Sequence, residues 1–157
     1  MIPLNIFETL FVLTAFAFQL ILIIHFALRK WHFDQAMRFG RFVYKLSIPA
    51  ATLSLILLLN DQSWYLWLGG FIYLIWAAFG YWVEYIRQIE WRNSVRWSIL
   101  APYVTLYLAT VMFYWWPLGM IYKPLWYAYA VLFVISTFLN VTSHQRKSQP
   151  VLKEGIT

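Results

Sequence analysis

Between Thr9 and Leu28 the chain runs for twenty residues without a formal charge. That is the length an α-helix needs, at about 1.5 Å per residue, to cross about 30 Å of hydrocarbon. The run is preceded by no basic segment and followed by no small-residue cleavage site, so it reads as a retained helix and not as a signal peptide. Similar segments recur to the end of the chain. Hydrophobic residues make up 62% and charged residues 11%, against about 25% charged in an ordinary soluble domain. The sequence therefore predicts an all-α membrane protein: a bundle of five transmembrane helices over about 4–28, 42–60, 63–86, 97–116 and 124–143, followed by a polar cytoplasmic tail at 144–157.

The second of these spans is the weakest. Leu46 to Asn60 supplies only fifteen uncharged residues, so it needs Phe42 to Tyr44 as well, with Lys45 snorkelling towards the interface. Residues 29–45 repeat Phe33, Ala36, Met37 and Gly40 at helical spacing, with Arg38, Arg41 and Lys45 on another stripe. This pattern suits an amphipathic helix in the headgroup layer. The small residues Ser47, Ala50, Ala51 and Ser54 allow a neighbouring helix to approach closely. In the fourth span Pro102 lies near the helix start, and Trp115, Trp116 and Pro117 mark an interface and a stop.

Basic residues report orientation in such a chain before they report any partner. Placing the N-terminus outside puts Arg29, Lys30, Arg38, Arg41, Lys45, Arg87, Arg92, Arg96, Arg146, Lys147 and Lys153 on the inner side, leaving only Lys123 outside. Removing any one span scatters these charges over both faces. The expectation is five helices, N-terminus outside and C-terminus inside, in a bacterial cytoplasmic (inner) membrane. Arg29, Lys30, Arg38 and Arg41 are then expected to contact anionic lipid headgroups. No nucleic-acid partner is implied.

On a helical wheel Gly69, Tyr73, Ala77, Gly80 and Glu84 share one face, a small and polar seam suited to helix packing. Glu84 is the first acid to weigh. It lies about 30 Å along its helix from Ser63, at the cytoplasmic edge, with Arg87 and Gln88 in reach for a local ion pair or hydrogen bond. Gln19 falls near the middle of the first span, where an amide is better bonded to another helix than exposed to lipid. Tyr103, Tyr107, Thr110 and Tyr114 form a hydroxyl-bearing stripe on the fourth span, and Ser136 and Asn140 share a face of the fifth.

The catalytic inventory is thin. There is no cysteine, which removes thiolate nucleophiles and Cys-ligated metals. His25, His32 and His144 fall towards one side with Asp34, Glu84 and Glu90, but no HExxH or comparable spacing links them, and no metal or other cofactor is assigned. No GxSxG or glycine-rich phosphate loop is present. Most of the aromatic 22% fits interfacial belts. Trp76 alone among the tryptophans falls near the midplane, and Gln19, Tyr73, Trp76 and Tyr107, with Glu84 at the rim, are the candidate lining of a cavity for a flat or long apolar ligand.

The first expectation for function is a non-enzymatic accessory or scaffold subunit of a larger membrane complex, acting through its lateral surfaces with protein partners or as a homo-oligomer. The alternatives are a binder or carrier of a lipophilic small molecule, such as a lipid, isoprenoid, quinone, sterol-like molecule or pigment, and a lipid-modifying enzyme at the cytoplasmic interface using Glu84, His25 or His32 with the arginines. In its span count, size and tryptophan content the chain resembles in outline the tryptophan-rich sensory protein family, which binds tetrapyrroles and sterols. The likeness is compositional, and no site of that family carries over to residues here.

Overall fold

The structure is a computed structural model that describes residues 4–89 and 96–145, with side chains as far as Ser143. It is all-helical, and five of its helical stretches are long and apolar enough to cross a membrane: Ile6–Trp31, Phe33–Leu59, Trp64–Ile86, Trp97–Ile121 and Lys123–Ser143. With this composition the chain is an integral membrane protein. The expectations at Glu90 and Arg92 and for the tail from Arg146 onwards lie outside the described residues.

Helix α1 (Ile6–Trp31) starts at a reciprocal cap. The Asn5 side chain accepts from the Glu8 N–H at 2.7 Å, and the Glu8 carboxylate accepts from the Asn5 N–H at 3.0 Å, so two backbone donors that open every helix are satisfied at once. Helices α2 (Phe33–Lys45) and α3 (Ser47–Leu59) meet at Leu46, whose backbone is itself right-handed helical. The basic segment therefore continues straight into the second candidate span, which reaches back to Phe33, earlier than the expected start at 42. The reason is burial. Ala36, Gly40, Val43 and Tyr44 face the bundle, while Arg38, Arg41 and Lys45 are exposed, so the small apolar face of α2 is turned towards α1 and α4.

Helix α4 (Trp64–Tyr81) is the centre of the packing, touching α3, α5 and α2. Its glycines explain how. A Cβ on Gly70 would collide with Ser54 Oγ and lie 2.6 Å from the Ala50 carbonyl, and one on Gly69 would meet the Phe113 carbonyl of α5 at 3.2 Å. Two adjacent glycines thus let α3 and α5 approach α4 on two sides, as small residues do where helices pack in lipid. Helix α5 (Trp97–Ile121) runs on through Pro102 and Pro117, past the stop expected at Trp116. Pro117 has no N–H to give the Phe113 carbonyl one turn back. That carbonyl is the one facing Gly69, so the lost helical bond falls where another backbone approaches closely.

Helix α6 (Lys123–Gln145) returns beside α5 and packs mainly on α1. Trp115 stacks on Trp126 at 5.0 Å and its indole donates to the Trp126 carbonyl at 3.0 Å. The contacts fix chain directions. Gln19 of α1 donates to Ser136 and to the Leu132 carbonyl of α6 at 2.6 and 3.2 Å, and Phe16, one turn earlier, meets Tyr129. α1 and α6 therefore run parallel, while α4 and α5 pair Trp64 with Trp116 and Trp76 with Tyr103, antiparallel. The ends of α1 and α6 and the start of α5 share one end of the bundle. We call it the basic end, after Arg29, Lys30, Arg87 and Arg96.

Candidate functional site

Past Tyr81 the helix of α4 widens into a π-helical turn, Trp82–Ile86, in which the Arg87 N–H bonds the Trp82 carbonyl at 2.9 Å. Such turns re-aim side chains and recur at functional sites. Here the wider turn sends two consecutive residues onto α2: Glu84 accepts a hydrogen bond from the Tyr44 hydroxyl at 3.0 Å, and Tyr85 donates to the Met37 carbonyl at 3.0 Å. Arg41 lies over the Tyr85 ring at 5.0 Å, and Arg87 lies over Trp82 at 5.3 Å. The expected local pairing of Glu84 with Arg87 thus gives way to a bond between helices.

Tyr44 also contacts the Tyr103 hydroxyl at 3.1 Å. A phenol has one proton to donate. Tyr44 gives its proton to Glu84, so Tyr103 is the donor to Tyr44, and the chain runs Tyr103 to Tyr44 to Glu84 across three elements. Beside it stands Trp76, only 3% exposed, with the rings of Tyr44, Tyr103, Tyr107 and Tyr73 at 5.6, 5.6, 5.7 and 5.9 Å. These tilted and edge-on arrangements are the favourable ones for aromatic pairs. The Trp76 indole N–H has no hydrogen-bond partner among the described residues, a cost of about 1–3 kcal/mol for a buried donor.

These groups form one wall of a cleft of about 430 Å³, within the range of small-molecule sites. Trp76, Tyr44, Tyr103 and Tyr107 are joined around it by Leu22, His25, Phe26 and Arg29 of α1, by Gly40 and Val43 of α2, by Leu100, Val104 and Leu108 of α5, and by Phe133, Thr137 and Asn140 of α6. Among the described residues no three His, Asp or Glu side chains converge where a metal ion would sit.

Of the residues singled out in the sequence, Trp76 and Tyr107 line the cleft, and Glu84 is one hydrogen bond behind Tyr44. Gln19 and Tyr73 do not line it. Gln19 is fully buried and ties α1 to α6, and the Tyr73 hydroxyl is donated to the Val43 carbonyl of α2. Arg29, named as a lipid contact, lines the cleft, while Lys30 lies over the Trp31 and Phe138 rings. Tyr44 is an addition, and Tyr103, His25 and Asn140, each notable in the sequence for another reason, join the lining. Tyr103 was visible in the hydroxyl stripe of α5, and Tyr44 stands one helical turn after Gly40 on the buried face of α2.

Compared with known proteins, the chain matches no family model, no curated protein and no solved structure.

Proposed function

We propose that the protein binds a lipophilic small molecule in the cleft between α1, α2, α4, α5 and α6. The observation that carries this reading is the cleft itself: about 430 Å³ of space walled by Trp76, Tyr103, Tyr107, Phe26 and Phe133, with a few polar groups gathered near one end. Interiors pack densely, and a space of this size between aromatic side chains is costly unless something fills it.

The reading places all five helices across a bacterial inner membrane with the N-terminus outside and the basic end at the cytoplasmic face. Its support is the charge distribution, since Lys123 alone among twelve basic residues falls on the other side of that arrangement. Arg38 and Arg41, exposed on α2, then stand where anionic headgroups are.

The test is extraction of the full chain in a mild detergent, followed by mass analysis of what accompanies it. The wild type should carry a lipophilic species that the Trp76→Ala, Tyr107→Phe double variant loses. An unchanged ligand content in a folded double variant would remove the support for this reading.

A second reading, the accessory or scaffold subunit, is favoured by α6. Val131, Val134, Phe138 and Val141 form an outward stripe at three- and four-residue spacing, each more than half exposed at 60, 66, 63 and 56%. Outward apolar side chains of this kind meet acyl chains where the helix borders lipid and a partner's side chains where it borders protein. Native mass analysis of the same extract decides it: a clean monomer without a partner chain counts against it.

A further inference from the structure

The cleft has a direction. Along α1 its lining passes from Arg29 through His25 to Leu22, and along α6 from Asn140 through Thr137 to Phe133. These helices run parallel, so Arg29 and Asn140 stand together at the basic end, with Leu22 and Phe133 about 10 Å deeper. Helix α5 runs the other way and lines the deep part with Tyr107 and Leu108. The cation and most of the polar groups are therefore at one end and the hydrocarbon at the other.

The cleft also has a side door. On α5 Val104 and Leu108 line it and are nevertheless 39% and 43% exposed, and Thr137, opposite them on α6, is exposed as well. The buried residues of α5 all fall between Thr110 and Leu118, in the half that holds the Trp115–Trp126 stack. Towards the basic end α5 and α6 thus leave a gap between them. It opens at a depth that the proposed topology assigns to lipid.

We infer that the cleft takes a membrane amphiphile, an apolar chain ending in an acidic head, which enters sideways between α5 and α6 and seats its head at Arg29 and its chain against Leu22, Tyr107 and Phe133. The inference rests on the binding reading above and adds the chemistry and the route. A guanidinium recognises a carboxylate or a phosphate through paired, charge-assisted hydrogen bonds. His25 and Asn140 supply further polar contacts at the same end. A neutral alcohol of the same length accepts a hydrogen bond from the guanidinium but gains nothing from pairing with its charge.

The experiment uses the full chain in vesicles of neutral lipid and three photoreactive probes with a diazirine on the chain: a long-chain fatty acid, its alcohol analogue, and a phosphatidylglycerol. At least one acidic probe should label peptides of α5 and α6 that line the cleft, about tenfold more than the alcohol. The fatty acid and the phospholipid distinguish a carboxylate from a phosphate head. Arg29→Gln should bring acid labelling down to the level of the alcohol, and Arg29→Lys should retain part of it. Thr137→Trp, placed in the gap, should suppress labelling by every probe, whereas Val134→Trp on the outward face of α6 should not. Equal labelling by acid and alcohol, or indifference to Arg29→Gln, overturns the acidic head and leaves the binding reading standing. Labelling unaffected by Thr137→Trp overturns the side entry. If no probe labels the cleft peptides, both this inference and the binding reading fall.

Discussion

The Tyr44 hydroxyl stands 2.7 Å from the point where a Cβ on Gly80 would be, and the carbons Cζ and Cε1 of the same ring stand 2.8 and 2.9 Å from it. Gly80 is small so that Tyr44 can lie across α4 and reach Glu84 and Tyr103. Any side chain at 80 pushes the ring away from both. Gly80→Leu is expected to cost at least about 3 kcal/mol in overpacking and lost hydrogen bonds. Glu84→Gln should cost less than Gly80→Leu, because an amide oxygen still accepts from Tyr44. Thermal unfolding in detergent checks the order, and a larger loss for Glu84→Gln would assign the acid a part beyond packing.

Adjacent glycines should behave differently under the same substitution. Gly70→Ala drives a methyl into Ser54 Oγ and to 2.6 Å from the Ala50 carbonyl, while Gly69→Ala meets the Phe113 carbonyl at 3.2 Å. The hydroxyl of Ser54 can rotate, but the backbone at Ala50 can yield only if α3 moves. Gly70→Ala is expected to destabilise by about 2–3 kcal/mol and Gly69→Ala by less than about 1 kcal/mol. Adding Ser54→Ala to Gly70→Ala should recover only part of the loss. Melting curves of the three variants test this, and equal losses at 69 and 70 would contradict the packing described.

Much of this arrangement was legible in the sequence. The face carrying Gly69, Tyr73, Ala77 and Gly80 is buried along α4, as helical spacing implied, and the small residues Ser47, Ala50, Ala51 and Ser54 are buried on α3. Asn5 and Glu8 are also spaced as a capping box, a local signal that a reading by hydropathy does not use. Other features left no such trace. The π turn at Trp82–Ile86 has no composition of its own, and it moves Glu84 away from the partner that α-helical spacing assigns to it. Pro117 reads locally as a stop, yet α5 continues to Ile121 because the bundle supports both sides of the missing bond. Gln19 bonds another helix and Tyr73 lies on the packing face, as depth and spacing implied; placing them also on a cavity wall rests on depth alone, and depth does not say which neighbour takes a hydroxyl or an amide.

Gln19 carries the polar link between α1 and α6. Its amide donates to Ser136 Oγ at 2.6 Å and to the Leu132 carbonyl at 3.2 Å, and Ser136 donates in turn to the Phe133 carbonyl at 2.9 Å. Hydrogen bonds between helices in lipid are worth about 0.6 kcal/mol on average and seldom more than about 2. A double-mutant cycle of Gln19→Leu and Ser136→Ala is expected to give a coupling of about 1 kcal/mol, with the larger single loss at Gln19, which holds two acceptors. A coupling indistinguishable from zero would mean that apolar packing alone holds α6 on α1.

The proposed topology turns on the helix Phe33–Leu59, because it contains Lys45. Its 27 residues make a rod of about 40 Å, longer than about 30 Å of hydrocarbon. With Asn60 and Asp61 held at the far interface, the surplus falls at the other end, so Arg38 and Arg41 reach the headgroups and Lys45 needs only to snorkel about one helical turn. The chain has no cysteine, so a single introduced thiol reports its own side of the membrane. In intact cells an impermeant maleimide should label Ser63→Cys and Tyr122→Cys, whereas His32→Cys should label only after permeabilisation. All three positions are exposed turn or connection residues, which keeps the substitutions mild. Labelling of His32→Cys alone would invert the bundle. Labelling of His32→Cys and Ser63→Cys from the same side would mean that Phe33–Leu59 does not cross, and the depth assigned to the gap between α5 and α6 would have to be redrawn.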